Sequence, residues 1–255
     1  MAELGISGSD AGTVWRRIAG TRGYDYALRL AVACWFLALG IVFVRDIADG
    51  IGAIAASGLD ALAAARLVSR LCLFAFFTLI AWLTLVRTRP LARAEGLQPR
   101  LSALAGCYLL YGLAFLPRNA EIGVALHALS AFLLLLGNGL AVVILIRLGR
   151  SFSVMAEARG LVTDGPYRLV RHPLYLAEQI AIAGAFIQFA SLSAALLVLV
   201  QLAFQLQRMR NEEAVLARAF PDYAAYARRT PRLVPGIWPG IRRVGRFVAR
   251  KGRSI

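Results

Sequence analysis

The sequence predicts an all-α fold, a polytopic membrane helix bundle with four spans, a C-terminal helical hairpin and polar cytosolic segments. The chain has 255 residues, of which 59% are hydrophobic and only 17% charged, and its mean hydropathy is +0.66. A soluble domain is nearer half apolar and a quarter charged. The apolar residues form long blocks, and blocks of about 20 residues match the hydrocarbon thickness of a bilayer. The basic residues gather at the block ends, as membrane topology requires.

Four of the apolar blocks predict membrane spans. They cover residues 27–44, 67–86, 101–116 and 124–148. Pro90 and Pro117 follow the second and third blocks, and a proline at such a position ends a helix. The third block is short for a crossing, and we expect it to borrow residues from its neighbours.

The charges predict the orientation of the chain. The formal net charge is +15, and we exclude nucleic-acid binding because the basic residues lie at block ends and form no stripe. Basic loops alternate with nearly neutral ones, which is the positive-inside pattern with the N-terminus in the cytosol. The segment 149–173, after the fourth block, is therefore predicted to be cytosolic.

A further apolar stretch, residues 174–206, has basic residues at both ends. As one helix it would be about 50 Å long, too long for one crossing. A hairpin that turns near residues 190–193 solves this problem and keeps both ends on one side. The tail beyond it is amphipathic and then strongly basic, which suits a cytosolic membrane surface. We expect two domains. Residues 1–123 would hold the first three spans, and residues 124–255 would hold the fourth span, the cytosolic loop, the hairpin and the tail.

The first polar motif is the cytosolic segment 160–175. Gly165 and Pro166 predict a turn, and Pro173 suits the first turn of the next helix, where its missing N–H costs nothing. Free N–H groups at such a helix start favour a carboxylate or phosphate. Three cationic side chains crowd the same place and also favour an anionic partner: Arg168, Arg171 and His172. The alternative is a positive-inside loop with a capping histidine.

The second motif lies where the last membrane arm leaves the bilayer. It contains the adjacent carboxylates Glu212 and Glu213, which point to different faces of a helix. The alternative is structural, with Arg208 paired to Glu212 and Arg210 to Glu213. Glu178, inside the first hairpin arm, is a weaker site candidate, because a carboxylate in a membrane is costly unless it is paired or faces a cavity.

Other polar residues are expected to be structural. His127 lies in the fourth span, where a histidine is more often an interhelical contact than a ligand. Cys34, Cys72 and Cys107 lie in apolar blocks without metal-ligand spacing, so we predict no metal site.

The two motifs together resemble a known family. The run LVTDGPYRLVRHPLYL, followed by EEAVLARAFPDYAAYARRTPRLVP, is similar to the isoprenylcysteine carboxyl methyltransferases, which are related to the phospholipid N-methyltransferases. The resemblance covers roughly residues 148–238. The chain departs from the family pattern at Phe220–Tyr223, which is one residue shorter and lacks a glycine, and at Ala177 and Glu178, where a small residue and a glycine are common.

This resemblance implies an S-adenosylmethionine pocket between the hairpin and the C-terminal segment, open to the cytosol. The positions implied for cofactor binding are Gly165, Pro166, Tyr167, His172, Pro173, Tyr175, Glu212 and Glu213. It also implies a lipid or lipidated acceptor that enters sideways from the membrane. Methylation of a carboxylate is favoured, and Arg171 or Arg168 would orient that group. An amine acceptor would instead need a base such as Glu213.

Two other functions stay open from the sequence. One is an NADPH-dependent enzyme like the membrane sterol reductases, which share a related Arg-His-Pro motif. The other is a non-enzymatic membrane protein on the same scaffold. The methyl acceptor and the oligomeric state are not predicted.

Overall fold

The computed structural model of the chain describes residues 22–58, 60–117, 119 and 122–234. Within these residues the fold consists of seven α-helices and one two-stranded sheet. In chain order the elements are α1 (Arg22–Ser57), α2 (Ala61–Val86), β1 (Ala92–Arg93), α3 (Leu97–Tyr108), α4 (Val124–Leu148), β2 (Glu157–Ala158), α5 (Pro173–Phe189), α6 (Leu192–Ala219) and α7 (Tyr223–Arg229). Short 3₁₀ helices cover Leu109–Phe115, Gly149–Ser151 and Gly165–Arg168. The basic end of the tail, residues 235–255, lies outside the described residues.

In the part of the chain that the structure describes, four helices are long and apolar enough to cross a membrane, and the prediction of an all-α polytopic bundle is confirmed. These segments are Asp25–Ser57, Ala63–Val86, Val124–Ser151 and Leu192–Ala219. Large apolar side chains remain exposed on them, for example Ile41 and Trp82, as expected for surfaces that face lipid. With 36 residues, α1 is about 54 Å long and extends well beyond the predicted span 27–44.

The predicted third span, 101–116, is wrong as a continuous membrane helix. The α-helix α3 has 12 residues, and the chain then continues as a 3₁₀ helix. Both pieces pack closely on α6: a Cβ on Gly106 would lie 3.0 Å from Gln205 Oε1, and one on Gly112 would lie 3.2 Å from the Leu197 side chain. Hydropathy predicted a span here because it does not report whether a helix stays continuous.

The predicted hairpin is present, with a longer second arm than expected. The chain turns at Ala190 and Ser191, and the Ser191 side chain caps α6 by accepting a hydrogen bond of 3.1 Å from the Ala194 N–H. The helix α6 then continues past residue 206 to Ala219. The reason is that the polar residues after 206 include good helix formers, so the loss of hydropathy does not end the helix.

The helix α5 packs against α4 through two glycines. A Cβ on Gly137 would lie 2.4 Å from the Ala181 nitrogen, and one on Gly184 would lie 2.9 Å from the Leu134 nitrogen. The Ser130 hydroxyl also donates a 2.7 Å hydrogen bond to the Gly184 carbonyl. This close approach holds the start of α5 beside the end of α4, where the polar motifs meet.

The antiparallel strands β1 and β2 pair Ala92 with Ala158 and Arg93 with Glu157. This pairing connects the loop between α4 and α5 to the segment that follows α2. Contacts therefore cross the predicted boundary at residue 123, and the division of the chain into two parts stays a prediction.

Candidate active site

The two sequence motifs meet at a cleft at one end of the bundle. The cleft has about 780 Å³ of empty space, including its part open to solvent. Four parts of the chain line it: the loop after α4, the residues leading into α5, the end of α6, and α7. Apolar side chains such as Phe152 and Leu161 lie beside charged ones such as Arg171 and Glu212.

His172 precedes α5 and is held by the C-terminal segment. The N–H groups of Arg171 and His172 donate to the carbonyls of Pro231 (2.8 Å) and Arg232 (3.1 Å). The His172 ring is nearly buried, stacks on the Tyr175 ring at 5.4 Å, and its Nε2 lies 3.0 Å from Glu213 Oε1. His172 occupies the N-cap position of α5, but its side chain makes no capping hydrogen bond.

Glu213 is the centre of an ion-pair group beside the cleft. Arg232 donates to both of its oxygens, at 2.9 Å and 2.6 Å, and Arg171 Nη1 lies 3.6 Å from Oε1. Arg210, the partner expected in the structural alternative, is exposed. With His172, these contacts occupy both carboxylate oxygens, and Glu213 is absent from the cleft lining.

Glu212 faces the cleft from the same turn of α6. The Tyr175 hydroxyl donates to its Oε1, and Arg208 Nε lies 3.2 Å from the same oxygen, so the predicted pair of Arg208 and Glu212 is confirmed. The Arg208 guanidinium lies over the Tyr175 ring, 4.8 Å from its centroid, and donates to the Val154 carbonyl at 2.9 Å. These contacts fix Glu212 and leave its Oε2 turned toward His172 Nδ1 at 4.0 Å.

Three buried donors of the cleft lining make no hydrogen bond of standard geometry to the described residues: Arg171 Nε, Arg208 Nε and the Tyr223 hydroxyl. Arg208 Nε lies 3.2 Å from Glu212 Oε1, whereas the Arg171 and Tyr223 side chains lie beside each other. Burial raises the pKa of Tyr223 to about 12, so the hydroxyl keeps its proton at neutral pH and remains a donor. A buried donor without a partner costs about 1–3 kcal/mol, and an anionic ligand would relieve that cost.

The structure places the predicted site residues in three groups. Those that line the cleft are Tyr167, Arg171, His172, Tyr175 and Glu212. Those that adjoin lining residues in the chain but do not line the cleft themselves are Gly165, Pro166, Pro173 and Glu213. Gly165 has a φ of +56°, which favours glycine, and begins the 3₁₀ helix that carries Tyr167. Arg168 is exposed and lies outside the lining, so the geometry gives no support to its predicted catalytic role.

Several cleft residues were not selected from the sequence. From the sequence, Tyr223 was named only as the end of a segment that departs from the family pattern, and Glu157 was not considered. Glu157 could have been noticed as an acidic residue in a basic cytosolic loop. Glu178 accepts a 2.7 Å hydrogen bond from Gln205 and lies outside the cleft lining. Among the described residues, no group of three or more His, Cys, Asp and Glu side chains is placed to hold a metal ion.

Comparison with known proteins agrees with this geometry. Residues 125–223 match the family described as Phospholipid methyltransferase. This range contains α4, the cleft loop, both hairpin helices and the first residue of α7. The predicted resemblance to the isoprenylcysteine carboxyl methyltransferase family is therefore confirmed for the C-terminal part of the chain.

Three curated proteins are similar to parts of this chain. The Protein-S-isoprenylcysteine O-methyltransferase of Schizosaccharomyces pombe is 37% identical over 40% of this chain and 46% of its own length. The cobalt-zinc-cadmium resistance protein CzcN of Cupriavidus metallidurans is 46% identical over 29% of this chain and 35% of its own length. The nickel-cobalt-cadmium resistance protein NccN of Alcaligenes xylosoxydans xylosoxydans is 41% identical over 29% of this chain and 36% of its own length. The matches span less than half the length of each relative.

Proposed function

We propose that this protein is an integral membrane methyltransferase that uses S-adenosylmethionine to methylate a lipid or lipidated acceptor, with a carboxylate as the favoured methyl acceptor. The observation that carries this proposal is the cleft formed by the two motifs, with buried donors that reach no acceptor among the described residues. The match to a methyltransferase family over the same residues favours methyl transfer over the NADPH-dependent alternative.

The residues of the cleft fit the cofactor in charge and shape. The carboxylate of its amino-acid part would be held by donors near the start of α5, beside His172, where helix N–H groups favour an anion. The Glu212 carboxylate suits an ammonium or a ribose hydroxyl. Gly160 in the lining packs closely on Ser151, since a Cβ there would lie 2.7 Å from Ser151 Oγ. Apolar residues such as Leu148 and Leu161 suit the adenine ring.

The chain's own residues would mainly orient the reactants and exclude water. The cofactor supplies a sulfonium-bound methyl group that is already reactive toward nucleophiles. Arg171 Nε and the Tyr223 hydroxyl would align an acceptor carboxylate, which is ionised at neutral pH and needs no base. The observation that favours a carboxylate over an amine acceptor is that Glu213, the base predicted for an amine, is engaged by Arg171, His172 and Arg232. The S. pombe relative, by its name, also methylates an oxygen.

The proposal is tested by cofactor binding to the full-length protein in detergent. Calorimetry and thermal shift should show binding of S-adenosylmethionine and S-adenosylhomocysteine, and no binding of NADPH. His172→Ala removes the ring that contacts Glu213 and Tyr175 and should weaken S-adenosylhomocysteine binding about 10- to 100-fold. The matched control is His127→Ala, which removes the second histidine of the chain, far from the cleft in α4, and should bind like the parent.

The acceptor class is tested by radiolabelled methyl transfer. The probes are N-acetyl-S-farnesylcysteine, which offers a carboxylate, and phosphatidylethanolamine vesicles, which offer an amine. Labelling of the first probe alone supports a carboxylate acceptor, and labelling of the second alone contradicts it. Binding of NADPH without S-adenosylmethionine would favour the reductase-like alternative, and binding of neither would favour a non-enzymatic protein.

A further inference from the structure

The wall of the cleft formed by the loop after α4 carries a second carboxylate. Glu157, in β2, lines the cleft together with Ser151, Ser153 and Gly160. Its side chain is only 6% exposed. It comes from a different part of the chain than Glu212, which lines the cleft from α6.

Three partners fix the direction of this carboxylate. The Ser153 hydroxyl donates a 2.7 Å hydrogen bond to Glu157 Oε2, and Arg159 donates to the same oxygen. Arg93, paired with Glu157 across the two-stranded sheet, lies 3.1 Å from Oε1. A carboxylate offers about four acceptor positions, so Oε1 retains acceptor capacity among its contacts with the described side chains.

The proposed cofactor has more hydrogen-bond donors than Glu212 alone satisfies. It carries an ammonium and two ribose hydroxyls, whereas Glu212 Oε1 already accepts from Tyr175 and lies 3.2 Å from Arg208. Glu213 lies outside the lining. Glu157 is the other carboxylate among the described residues that line the cleft.

We propose that Glu157 is a further ligand-binding residue, which accepts a hydrogen bond from the ammonium or a ribose hydroxyl of the bound cofactor. This inference rests on the proposed function. The competing explanation is structural, because Glu157 also belongs to a buried ionic cluster. In that cluster Asp25 forms ion pairs with Arg29 (2.8 Å) and Arg93 (3.3 Å). Glu157 forms ion pairs with Arg93 and Arg159.

The cluster provides a matched control for the test. Asp25→Asn removes the other carboxylate of the same cluster, and Asp25 is not part of the cleft lining. Calorimetry on the full-length protein in detergent uses S-adenosylhomocysteine as the probe. Glu157→Gln should weaken its binding about 10- to 100-fold, which corresponds to one charge-assisted hydrogen bond. Asp25→Asn and Glu95→Gln, an exposed carboxylate near β1, should bind like the parent.

A second probe identifies the group that Glu157 contacts. 5′-Methylthioadenosine keeps the ribose and lacks the amino-acid part. If Glu157→Gln weakens the binding of both probes, the contact is to the ribose. If it weakens only S-adenosylhomocysteine, the contact is to the ammonium.

If Glu157→Gln does not fold, the binding of S-adenosylhomocysteine to Glu157→Asp tests the inference instead. This substitution keeps the charge that Arg93 and Arg159 require and withdraws the carboxylate from the cleft, so it should also weaken binding. Parent-like binding by the folded Glu157 variant would overturn the inference, as would an equal loss in Asp25→Asn. A parent protein that binds neither probe overturns the proposed function itself, so the two failures are distinguishable.

Discussion

Tyr223 and Tyr226 lie one helical turn apart and differ in one contact. The Tyr226 hydroxyl donates a 2.7 Å hydrogen bond to the Tyr167 carbonyl, whereas the buried Tyr223 hydroxyl lies beside Arg171 and donates to no acceptor among the described residues. Two tyrosines that look alike in the sequence therefore have different roles in the structure. Tyr226 holds the turn before α5, and Tyr223 offers a donor to the cleft.

Tyr223→Phe should separate folding from function. Removing an unsatisfied buried hydroxyl should leave the Tm of the ligand-free protein unchanged or slightly higher. Methyl transfer to N-acetyl-S-farnesylcysteine should fall about 5- to 10-fold, the loss expected for one hydrogen bond. Thermal unfolding and initial rates measure the two effects.

The control for this prediction is Tyr226→Phe, which should lower stability by about 0.5–1.5 kcal/mol because it loses a formed hydrogen bond. If Tyr223→Phe lowers the Tm as much as Tyr226→Phe and leaves the rate unchanged, the hydroxyl has a structural role only.

At the scale of the elements, the contact between α4 and α5 positions the cleft. It depends on Gly137, because a Cβ there would lie 2.4 Å from the Ala181 nitrogen and 2.8 Å from the Ala177 carbonyl oxygen. These are backbone atoms, which cannot move aside as a flexible side chain can. Gly139, in the same helix, has nothing within 4 Å of a built Cβ.

Gly137→Ala should therefore destabilise the protein by about 1–3 kcal/mol, as overpacking does, and should weaken S-adenosylhomocysteine binding by displacing α5. Gly139→Ala should be neutral or stabilising by about 0.5–1 kcal/mol, because alanine is the better helix former. Thermal unfolding and calorimetry of both variants test this. Equal stability and equal ligand binding of the two variants would contradict the packing argument.

At the scale of the whole molecule, the predicted orientation puts the N-terminus and the cleft in the cytosol. Single cysteines introduced into a cysteine-free variant test it, at Gly58 in the connection between α1 and α2 and at Thr163 in the cleft loop. Both positions are exposed. A membrane-impermeant thiol reagent added to intact cells should label Gly58→Cys and leave Thr163→Cys unlabelled until the cells are lysed. The reversed pattern would mean that the cleft faces away from the cytosol.

The sequence by itself predicted the features that depend on neighbouring residues. Blocks of apolar residues predicted the membrane helices, and the length of the stretch 174–206 predicted a turn that the structure places at Ala190 and Ser191. The family resemblance carried by the two motifs implied the segments that form the cleft. Each of these signals is contained in a short stretch of chain, because hydropathy, turn residues and motif spacing are local properties.

Only the tertiary structure decided which side chains face the cleft. Glu212 and Glu213 are adjacent in sequence, yet one lines the cleft and the other is engaged by Arg171, His172 and Arg232. The break of the third predicted span after Tyr108 and the placement of Glu157 were equally unforeseen. The physical reason is that these outcomes depend on contacts between residues far apart in the chain. Whether a buried donor has a hydrogen-bond partner, and whether a glycine lets a neighbouring helix approach, is determined only when the chain is packed.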